Sequence, residues 1–206
     1  MITLVVTSCG RFDLLERTLN SFFRYADLPM EHVVITEDGP SKLPQRFTEC
    51  FTYNSVINPG IRVGQIASID RAYALVTTPY VFHLEDDWEF HRTGFMQESL
   101  SALEADPLCI NHWLRERNDT NGHPLDGDRL RPGYNGRWHG FTFNPTLKRM
   151  SDYHAIGTYG SICPWDPKDP AKAEAAIGKR YHQLGYHASI AEQGYVKHIG
   201  EGRHVQ

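Results

Sequence analysis

The chain begins with an apolar stretch, residues 2–7, that constrains the fold more than any other part of the sequence. The stretch is continuous and rich in β-branched residues, which is typical of a strand covered on both faces in a parallel sheet. After a short turn, apolar side chains recur every three to four residues, with Asp13 as the expected helix cap. The recurring positions are Leu14, Leu15, Thr18, Leu19, Phe22 and Phe23. A central strand followed by an amphipathic helix indicates the start of a βαβ unit.

The same alternation of strand and helix patterns continues through the first half of the chain. Strands are predicted over residues 32–36, 55–57, 80–84 and 108–114, and helices over residues 66–76 and 94–105. Parallel strands in one sheet need crossover connections of this kind. The sequence therefore predicts an α/β fold with a mostly parallel open sheet and flanking helices, in which ligands bind at the carboxyl ends of the strands.

The second half of the chain has a different character. Residues 115–137 are polar and rich in Gly, Asn and Asp, which indicates a long functional loop. A strand is predicted over residues 140–144, and Asp169 and Pro170 are expected to begin a helix that reaches Leu184 and stops at Gly185. A chain of 206 residues with 40% hydrophobic residues fits one domain. We interpret residues 1–114 and 115–206 as two halves of that domain.

Charge, cysteine content and hydropathy narrow the range of partners. The chain has 25 acidic residues against 21 lysines and arginines, a net charge of −4, so no nucleic-acid surface is expected. The four cysteines lack the spacing of a metal site and the density of a disulfide framework, which favours reduced thiols in a cytoplasm. The sequence shows no signal-peptide pattern and no run close to the ~20 apolar residues of a membrane-spanning helix, so any membrane contact is expected to be peripheral.

Three consecutive carboxylates, Glu85, Asp86 and Asp87, follow the strand predicted over residues 80–84. Their mutual repulsion at the end of a buried strand is costly unless water or a cation neutralises them. Mg²⁺ and Mn²⁺ bind oxygen ligands, commonly one or two carboxylates together with substrate phosphates and water. Asp38 and Asp70 are expected near the same sheet edge, which favours a cation site over the alternative, a solvated acidic turn that caps the next helix.

The order of these polar strand ends resembles the glycosyltransferases with the A-type fold, both the large family 2 group and the N-acetylglucosaminyltransferase I group. In those families the first strand ends in polar residues, the second in an acidic pair, and a later strand in the DXD motif. The corresponding segments here are residues 7–11 (TSCGR), 36–39 (TEDG) and 84–87 (LEDD). The resemblance covers about the first 120 residues well, includes the E-D-D form of the motif, and implies a nucleotide-sugar transferase fold.

The resemblance implies a nucleoside diphosphate sugar as donor, with UDP as the expected nucleotide. Asp38 would accept a hydrogen bond from the uracil imide, while Thr7 and Arg11 would hold the base and the adjoining phosphate. One position departs from the family pattern. The aromatic residue that often stacks on uracil after the first strand is Cys9 here, so the resemblance defines the diphosphate more firmly than the base.

The resemblance also implies separate roles for the three carboxylates. Glu85 would face the ribose, Asp86 would touch the donor sugar, and Asp87 would bind the Mn²⁺ or Mg²⁺ ion that bridges the two phosphates. Several A-fold transferases have a late histidine that completes the metal shell, and His198 is the corresponding candidate. The alternative for His198 is a structural histidine.

Inverting members of these families keep a catalytic base, Asp or Glu, near the start of a late helix. Glu174 occupies the corresponding place and would remove the proton from the acceptor hydroxyl. A glutamate in the first turn of a helix also interacts favourably with the helix dipole, which is the alternative explanation. Asp152 and Asp166 are the reserve candidates.

We therefore interpret the sequence as a metal-dependent glycosyltransferase that moves a sugar from a UDP-sugar to the hydroxyl of a glycan or other acceptor, with inversion. One alternative is a sugar nucleotidyltransferase, which normally needs a Gly-rich basic loop after the first strand, and residues 8–11 match such a loop poorly. The other alternative is a non-catalytic module that binds nucleotides or glycans. Hydrolysis of a sugar donor would distinguish an enzyme from such a module.

Overall fold

The computed structural model describes residues 1–47, 49, 54–163 and 171–203. Over these ranges the chain forms strands, α-helices and one short 3-10 helix, Gln45–Phe47. The strands are β1 Ile2–Ser8, β2 His32–Glu37, β3 Asn54–Ile57, β4 Tyr80–Glu85, β5 Trp88–Phe90, β6 Cys109–Trp113, β7 Leu125–Asp126, β8 Arg129–Leu130, β9 Thr146–Arg149, β10 His187–Ile190 and β11 Val196–His198. The α-helices are α1 Phe12–Tyr25, α2 Gln65–Tyr73, α3 Phe95–Ala105, α4 Met150–Ile156, α5 Tyr159–Ile162 and α6 Ala171–Gln183.

The main sheet has the strand order β3-β2-β1-β4-β9. β1 pairs in parallel with β2 on one side and with β4 on the other, and every residue of β1 is buried. β9 is the exception to the parallel arrangement, because it runs antiparallel to β4. The prediction of a mostly parallel α/β sheet with residues 2–7 at its centre is confirmed.

Alternate residues of the central strands face two separate hydrophobic cores. On one face, Leu4 and Val6 pack with the buried side chains of α1 and α3. On the other face, Val5 packs with the buried side chains of α2, α4, α5 and α6. Helices on both faces explain why β1 is apolar throughout, since neither of its faces meets water.

Two smaller sheets extend the fold. The first has the order β6-β10-β8-β7, and its β7–β8 hairpin lies inside the segment predicted as a loop, residues 115–137. The second pairs β5 with β11 in antiparallel fashion and sets Trp88 opposite His198. This pairing brings the end of the chain back to the segment that follows β4.

The predicted strand over residues 140–144 is wrong. This segment is irregular because its backbone bonds with side chains instead of with a neighbouring strand. Trp113 Nε1 donates to the carbonyl oxygen of Gly140 at 2.8 Å, and Trp138 Nε1 donates to that of Phe141 at 2.7 Å. The burial of Phe141 and Phe143 accounts for the apolar pattern that suggested a strand.

The helix boundaries differ in detail from the predictions. α1 begins at Phe12, with Arg11 at its N-cap, so Asp13 lies inside the first turn and does not cap the helix. The late helix is described from Ala171 and ends at Gln183, just before Gly185, whose φ of 89° suits a glycine. The predicted helix start at Asp169 and Pro170 lies outside the described residues. No helix within the described ranges has the length and apolar character needed to cross a membrane.

Candidate active site

The carboxyl ends of β1, β2 and β4 meet at one edge of the main sheet. In the strand register, Thr7 lies beside Thr36 of β2 and beside Glu85 of β4. The chain continues from these two strand ends to Asp38 and to Asp86. The parallel register therefore brings polar residues from separate parts of the sequence to the same edge, as the sequence predicts.

Asp86 and Asp87 form the turn between β4 and β5, and α1 holds this turn in place. Thr18 is fully buried, and its hydroxyl donates to the carbonyl oxygen of Asp86 at 2.9 Å. The same hydroxyl accepts a hydrogen bond from the backbone amide of Trp88 at 3.1 Å. A buried hydroxyl that satisfies two backbone groups fixes the conformation of the turn that carries both carboxylates.

Arg11 binds both carboxylates of the turn. Its Nε and Nη2 atoms contact the carboxylate of Asp86, and its Nη1 lies 2.8 Å from Oδ2 of Asp87. Asp86 is only 1% exposed, so burial raises its pKa to about 6, and Arg11 opposes this rise. The Arg11 guanidinium thus supplies positive charge to the acidic turn.

Asp87 also contacts His198, near the end of the chain. His198 Nε2 lies 3.3 Å from Oδ2 of Asp87. The imidazole packs against Trp88, with the ring centroids 5.1 Å apart. Burial disfavours the charge of Asp87, but the hydrogen bond from His198 and the charge of Arg11 hold its pKa below the usual range.

Asp87 and His198 together provide donor atoms suited to a divalent cation. Carboxylate oxygens suit Mg²⁺ and Mn²⁺, and an imidazole nitrogen favours the softer of the two, Mn²⁺. Within the described residues, no group of three or more His, Cys, Asp or Glu side chains is arranged to hold a metal ion. A cation held here would therefore need phosphate oxygens or water as its other ligands. It would also compete with Arg11 for Oδ2 of Asp87.

Glu85 accepts hydrogen bonds from three side chains. Gln65 Nε2 donates to Oε1 at 2.8 Å, and Trp88 Nε1 donates to Oε2 at 3.2 Å. Asn144 Nδ2 lies 3.5 Å from the same Oε2. Burial, together with the neighbouring carboxylates of Asp87 and Glu174, raises the pKa of Glu85 to about 8. Glu85 is thus a carboxyl group that can bind a proton near neutral pH.

Glu174, in the first turn of α6, belongs to the same group of carboxylates. Its Oε1 accepts hydrogen bonds from the Thr142 hydroxyl at 3.0 Å and from the Phe143 backbone amide at 2.6 Å. Burial raises the pKa of Glu174, and these hydrogen bonds oppose the rise. Because the charge of Glu174 also raises the pKa of Glu85, the two carboxylates repel one another. Residues 142–144 touch both of them.

Asp38 is buried and already accepts two backbone hydrogen bonds. The amides of Val63 and Gly64 donate to Oδ1 and Oδ2 at 2.7 and 2.9 Å. These bonds hold the segment before α2 against the end of β2. Each carboxylate oxygen has a second lone pair, so Asp38 retains the capacity to accept a hydrogen bond from a ligand. Cys9 lies beside it and donates from Sγ to the Asp38 carbonyl oxygen at 2.8 Å.

The reserve candidates and Asp70 are placed differently. The Asp152 carboxylate pairs with Arg149 Nε at 2.8 Å and accepts from the Tyr186 hydroxyl at 3.1 Å, which gives it a structural role in the fold. Asp70 accepts hydrogen bonds from the first two backbone amides of α5, at 3.0 and 2.8 Å, and so anchors that helix. Asp166 lies outside the described residues.

Sequence reasoning missed several side chains of this site. Gln65 lies at the start of a predicted helix, and Trp88 directly follows the acidic triplet, so these positions were the available signals. Thr142 and Asn144 had no such signal. They come from the segment mistaken for a strand, and only the tertiary packing brings them to Glu85 and Glu174.

The chain is similar in fold to solved glycosyltransferase structures. One is the mannosyltransferase PcManGT from Pyrobaculum calidifontis in complex with GDP-Man and Mn²⁺, which is 14% identical with a TM-score of 0.70 over 98% of this chain and 57% of that one. Another is S. aureus TarS 1–349, which is 14% identical with a TM-score of 0.62 over 95% of this chain and 59% of that one. TarS 1–349 in complex with UDP-GlcNAc is 12% identical with a TM-score of 0.61 over 98% of this chain and 61% of that one.

These similarities show the fold, and the low identity limits them to the fold. The chain spans about three fifths of the length of these three solved structures. No family model matches the sequence, and no curated protein matches it.

Proposed function

We propose that this chain is a metal-dependent glycosyltransferase that moves a sugar from a UDP-sugar to the hydroxyl of a glycan or other acceptor, with inversion at the anomeric carbon. The observation that carries the proposal is the meeting of carboxylates from both halves of the chain. Glu85 ends β4, which lies beside the central strand β1, and Glu174 lies in the first turn of α6, yet the two interact electrostatically and share contacts with residues 142–144. In a fold similar to glycosyltransferases, this arrangement supports Glu174 as a base near the strand ends where a donor would bind.

The donor side belongs to residues 1–114. Asp38 accepts the imide hydrogen of uracil through a free lone pair, and Thr7 and Arg11 line the path from the base to the diphosphate. The similar structures contain GDP-Man in one case and UDP-GlcNAc in another. Both uracil and guanine present N–H donors that a carboxylate accepts. UDP is therefore proposed because of the resemblance of the strand ends, and GDP is the alternative nucleotide.

Asp87 and His198 are the proposed protein ligands of Mn²⁺ or Mg²⁺. When bound, the cation neutralises the charge that develops on the departing diphosphate. Arg11 must release Oδ2 of Asp87 at that point, and its guanidinium is then free to bind a phosphate oxygen. Asp86, which is nearly inaccessible, acts through Arg11 and through the backbone of Cys9, to which it is hydrogen bonded at 3.3 Å. Glu85 and its partners orient the ribose and the sugar.

Residues 115–206 supply the acceptor side and the base. The acceptor oxygen attacks the anomeric carbon while the bond from that carbon to the diphosphate oxygen breaks, and Glu174 takes the hydroxyl proton. Two hydrogen bonds at Oε1 hold the Glu174 side chain in one orientation. Such a base typically contributes 10²- to 10⁴-fold to the rate. A single displacement on one face of the sugar inverts its configuration.

Ligand-dependent thermal stability tests the donor site. A ligand at about 100 times its Kd stabilises the fold by about 2.7 kcal/mol, roughly 5–10 °C in a chain of this size. We expect UDP-sugars with Mn²⁺ to do this for the wild type and for Glu104→Gln, a carboxylate-to-amide control on the exposed side of α3. Asp87→Asn should abolish the Mn²⁺-dependent part. Mn²⁺-dependent binding of UDP that persists in Asp87→Asn would remove Asp87 from the site.

The same assay tests the base contact. Asp38→Asn should weaken UDP more than it weakens pyrophosphate with Mn²⁺, because the proposed contact is to uracil. Equal losses for both ligands would remove Asp38 from the base site, and stabilisation by GDP in preference to UDP would correct the nucleotide. No response of the wild type to any nucleotide sugar would contradict the proposal.

A further inference from the structure

Lys148 is a lysine whose side chain lies inside the fold. It belongs to the edge strand β9 and is only 2% exposed. Its Nζ donates to the Thr142 carbonyl oxygen at 2.7 Å and lies 4.7 Å from the centroid of the Phe141 ring. Removing an ammonium group from water costs several kcal/mol unless nearby groups compensate. A buried lysine beside a cluster of carboxylates therefore indicates an electrostatic role.

The compensating groups are the carboxylates of Glu174 and Glu85. Burial lowers the pKa of Lys148 to about 7, and the charges of Glu174 and Glu85 oppose this fall. In return, Lys148 opposes the rise that burial causes in the pKa of Glu174. The residues described include no direct ion pair between Lys148 and either carboxylate, so any structural connection between Lys148 and these carboxylates runs through other groups.

Thr142 connects Lys148 to Glu174. Its carbonyl oxygen accepts the bond from Lys148, and its hydroxyl donates to Glu174 Oε1 at 3.0 Å. The next backbone amide, that of Phe143, donates to the same oxygen at 2.6 Å. Lys148 thus fixes the backbone of an irregular segment that has no strand partner, and that segment fixes Glu174.

We propose that Lys148 is the positioning residue of Glu174, which it orients through Thr142 and keeps ionised by its positive charge, so that Glu174 can accept the proton of the acceptor hydroxyl. The proposal rests on the function proposed above. It adds a residue from β9, a strand that contributes none of the donor-binding or metal-binding candidates. Lys148 acts through Glu174 and does not touch the substrate.

Other charged and titratable groups also surround Lys148 and Glu174. His83 on β4 is fully buried, and burial together with the charge of Lys148 holds its pKa well below the usual range, so His83 stays neutral. Arg115, which follows β6, also lowers the pKa of Glu174, as Lys148 does. The loss of Lys148 therefore removes one of the two nearby positive charges that lower the pKa of Glu174.

The decisive measurement is the titration of Glu174 itself, which does not depend on any enzymatic activity. Glutamate side-chain carboxyls are labelled with ¹³C, and the Glu174 resonance is assigned by its loss in Glu174→Gln. Lys148→Met should raise the pH at which Glu174 titrates by on the order of one unit, because a neighbouring positive charge is removed. Lys42→Met, at an exposed lysine, is the control and should leave the Glu174 titration unchanged.

A second variant separates charge from hydrogen bonding and covers the case in which Lys148→Met does not fold. Lys148→Gln removes the charge but retains a donor for the Thr142 carbonyl oxygen, so it should shift the Glu174 titration by a similar amount. An unchanged Glu174 titration in the folded variants would overturn the proposal, whether or not the wild type transfers sugar.

Kinetics then connect the titration to transfer. The acidic limb of the pH profile of kcat should move to higher pH in Lys148→Met by the same amount as the Glu174 titration, with donor affinity little changed. A lysine with only a structural role would lower the melting temperature and leave the acidic limb in place, and that result would also overturn the proposal. If the wild type shows no transfer at all, the proposed function fails, and the titration still decides the role of Lys148.

Discussion

At the scale of single residues, the account depends on what binds Oδ2 of Asp87. In the structure this atom contacts both Arg11 and His198. A guanidinium and a divalent cation cannot occupy the same position beside one carboxylate oxygen. Arg11 is therefore expected to stabilise the metal-free site and to yield its place when a metal and a diphosphate bind.

Substitution of Arg11 should accordingly have opposite effects on the metal and on the nucleotide. In Arg11→Gln, the Kd of Mn²⁺ measured without nucleotide should fall roughly tenfold, because a competing positive charge is lost from Asp87. The Kd of UDP measured without metal should rise. The metal-free protein should lose on the order of 3 kcal/mol of stability, since Asp86 is left buried without its partner. Isothermal titration and thermal melting measure these quantities.

Arg17→Gln is the matched control for Arg11→Gln. Arg17 lies in α1, is more than half exposed and pairs with Glu89 at 3.2 Å, a carboxylate that is not a candidate for the site. Arg17→Gln should leave the Kd of Mn²⁺, the Kd of UDP and the stability of the metal-free protein nearly unchanged. If Arg11→Gln weakens Mn²⁺ binding, Arg11 supports the metal and does not compete with it, and this part of the account is wrong.

At the scale of secondary-structure elements, the pairing of β5 with β11 brings together Asp87 and His198, the two proposed metal ligands. The backbone amide of Ile199 donates to the carbonyl oxygen of Asp87 at 2.8 Å. Gly200 then passes so close to Asp87 that an added Cβ atom would lie 2.9 Å from the carboxylate Cγ. The close approach of this segment leaves room only for a glycine.

Gly200→Ala should therefore displace the Asp87 side chain without unfolding the main sheet. We expect the affinity for Mn²⁺ with UDP to fall at least about tenfold, while the melting temperature without ligand changes by only a few degrees. Glu201→Ala, at the exposed neighbouring position, is the control and should bind normally. Unaltered ligand affinity in a folded Gly200→Ala protein would show that the position of Asp87 is not critical.

The elements also show what the sequence could predict. The strands near residues 2–7, 32–36 and 80–84 have continuous apolar runs because both faces of the sheet are covered, so local pattern and tertiary structure agree there. β9 was missed because Lys148 and Arg149 interrupt any apolar pattern. Lys148 contacts residues 141 and 142, and such tertiary contacts cannot be read from the local periodicity of the sequence.

The candidate site was predictable to a similar degree. The polar ends of β1, β2 and β4 could be placed at one edge because parallel strands in register bring their carboxyl ends together. The contact between Asp87 and His198 spans 111 positions, and that between Thr142 and Glu174 spans 32. No short-range pattern encodes such contacts. The resemblance suggested His198 and Glu174, but nothing in the sequence pointed to Thr142, Asn144 or Lys148.

At the scale of the whole molecule, the proposed donor half and the proposed acceptor half meet where Glu85 and Glu174 interact. The cores on the two faces of the main sheet hold α1 and α6 on opposite sides, and these helices carry Arg11 at one N-cap and Glu174 in one first turn. The chain spans about three fifths of the length of the similar structures. The assignment of the acceptor surface to residues 115–206 is therefore a proposal. Sugar transfer, with water or a simple glycoside as acceptor, tests the two halves together.

The most direct measurement is single-turnover release of UDP from a panel of UDP-sugars with Mn²⁺, with water and simple glycosides as acceptors. The account predicts Mn²⁺-dependent release by the wild type and by Glu104→Gln, and release at least about 100-fold slower by Glu174→Gln with UDP affinity little altered. Donor that binds the wild type but is never cleaved would identify a binding module and contradict the account. Normal release by a folded Glu174→Gln protein would reject Glu174 as the base.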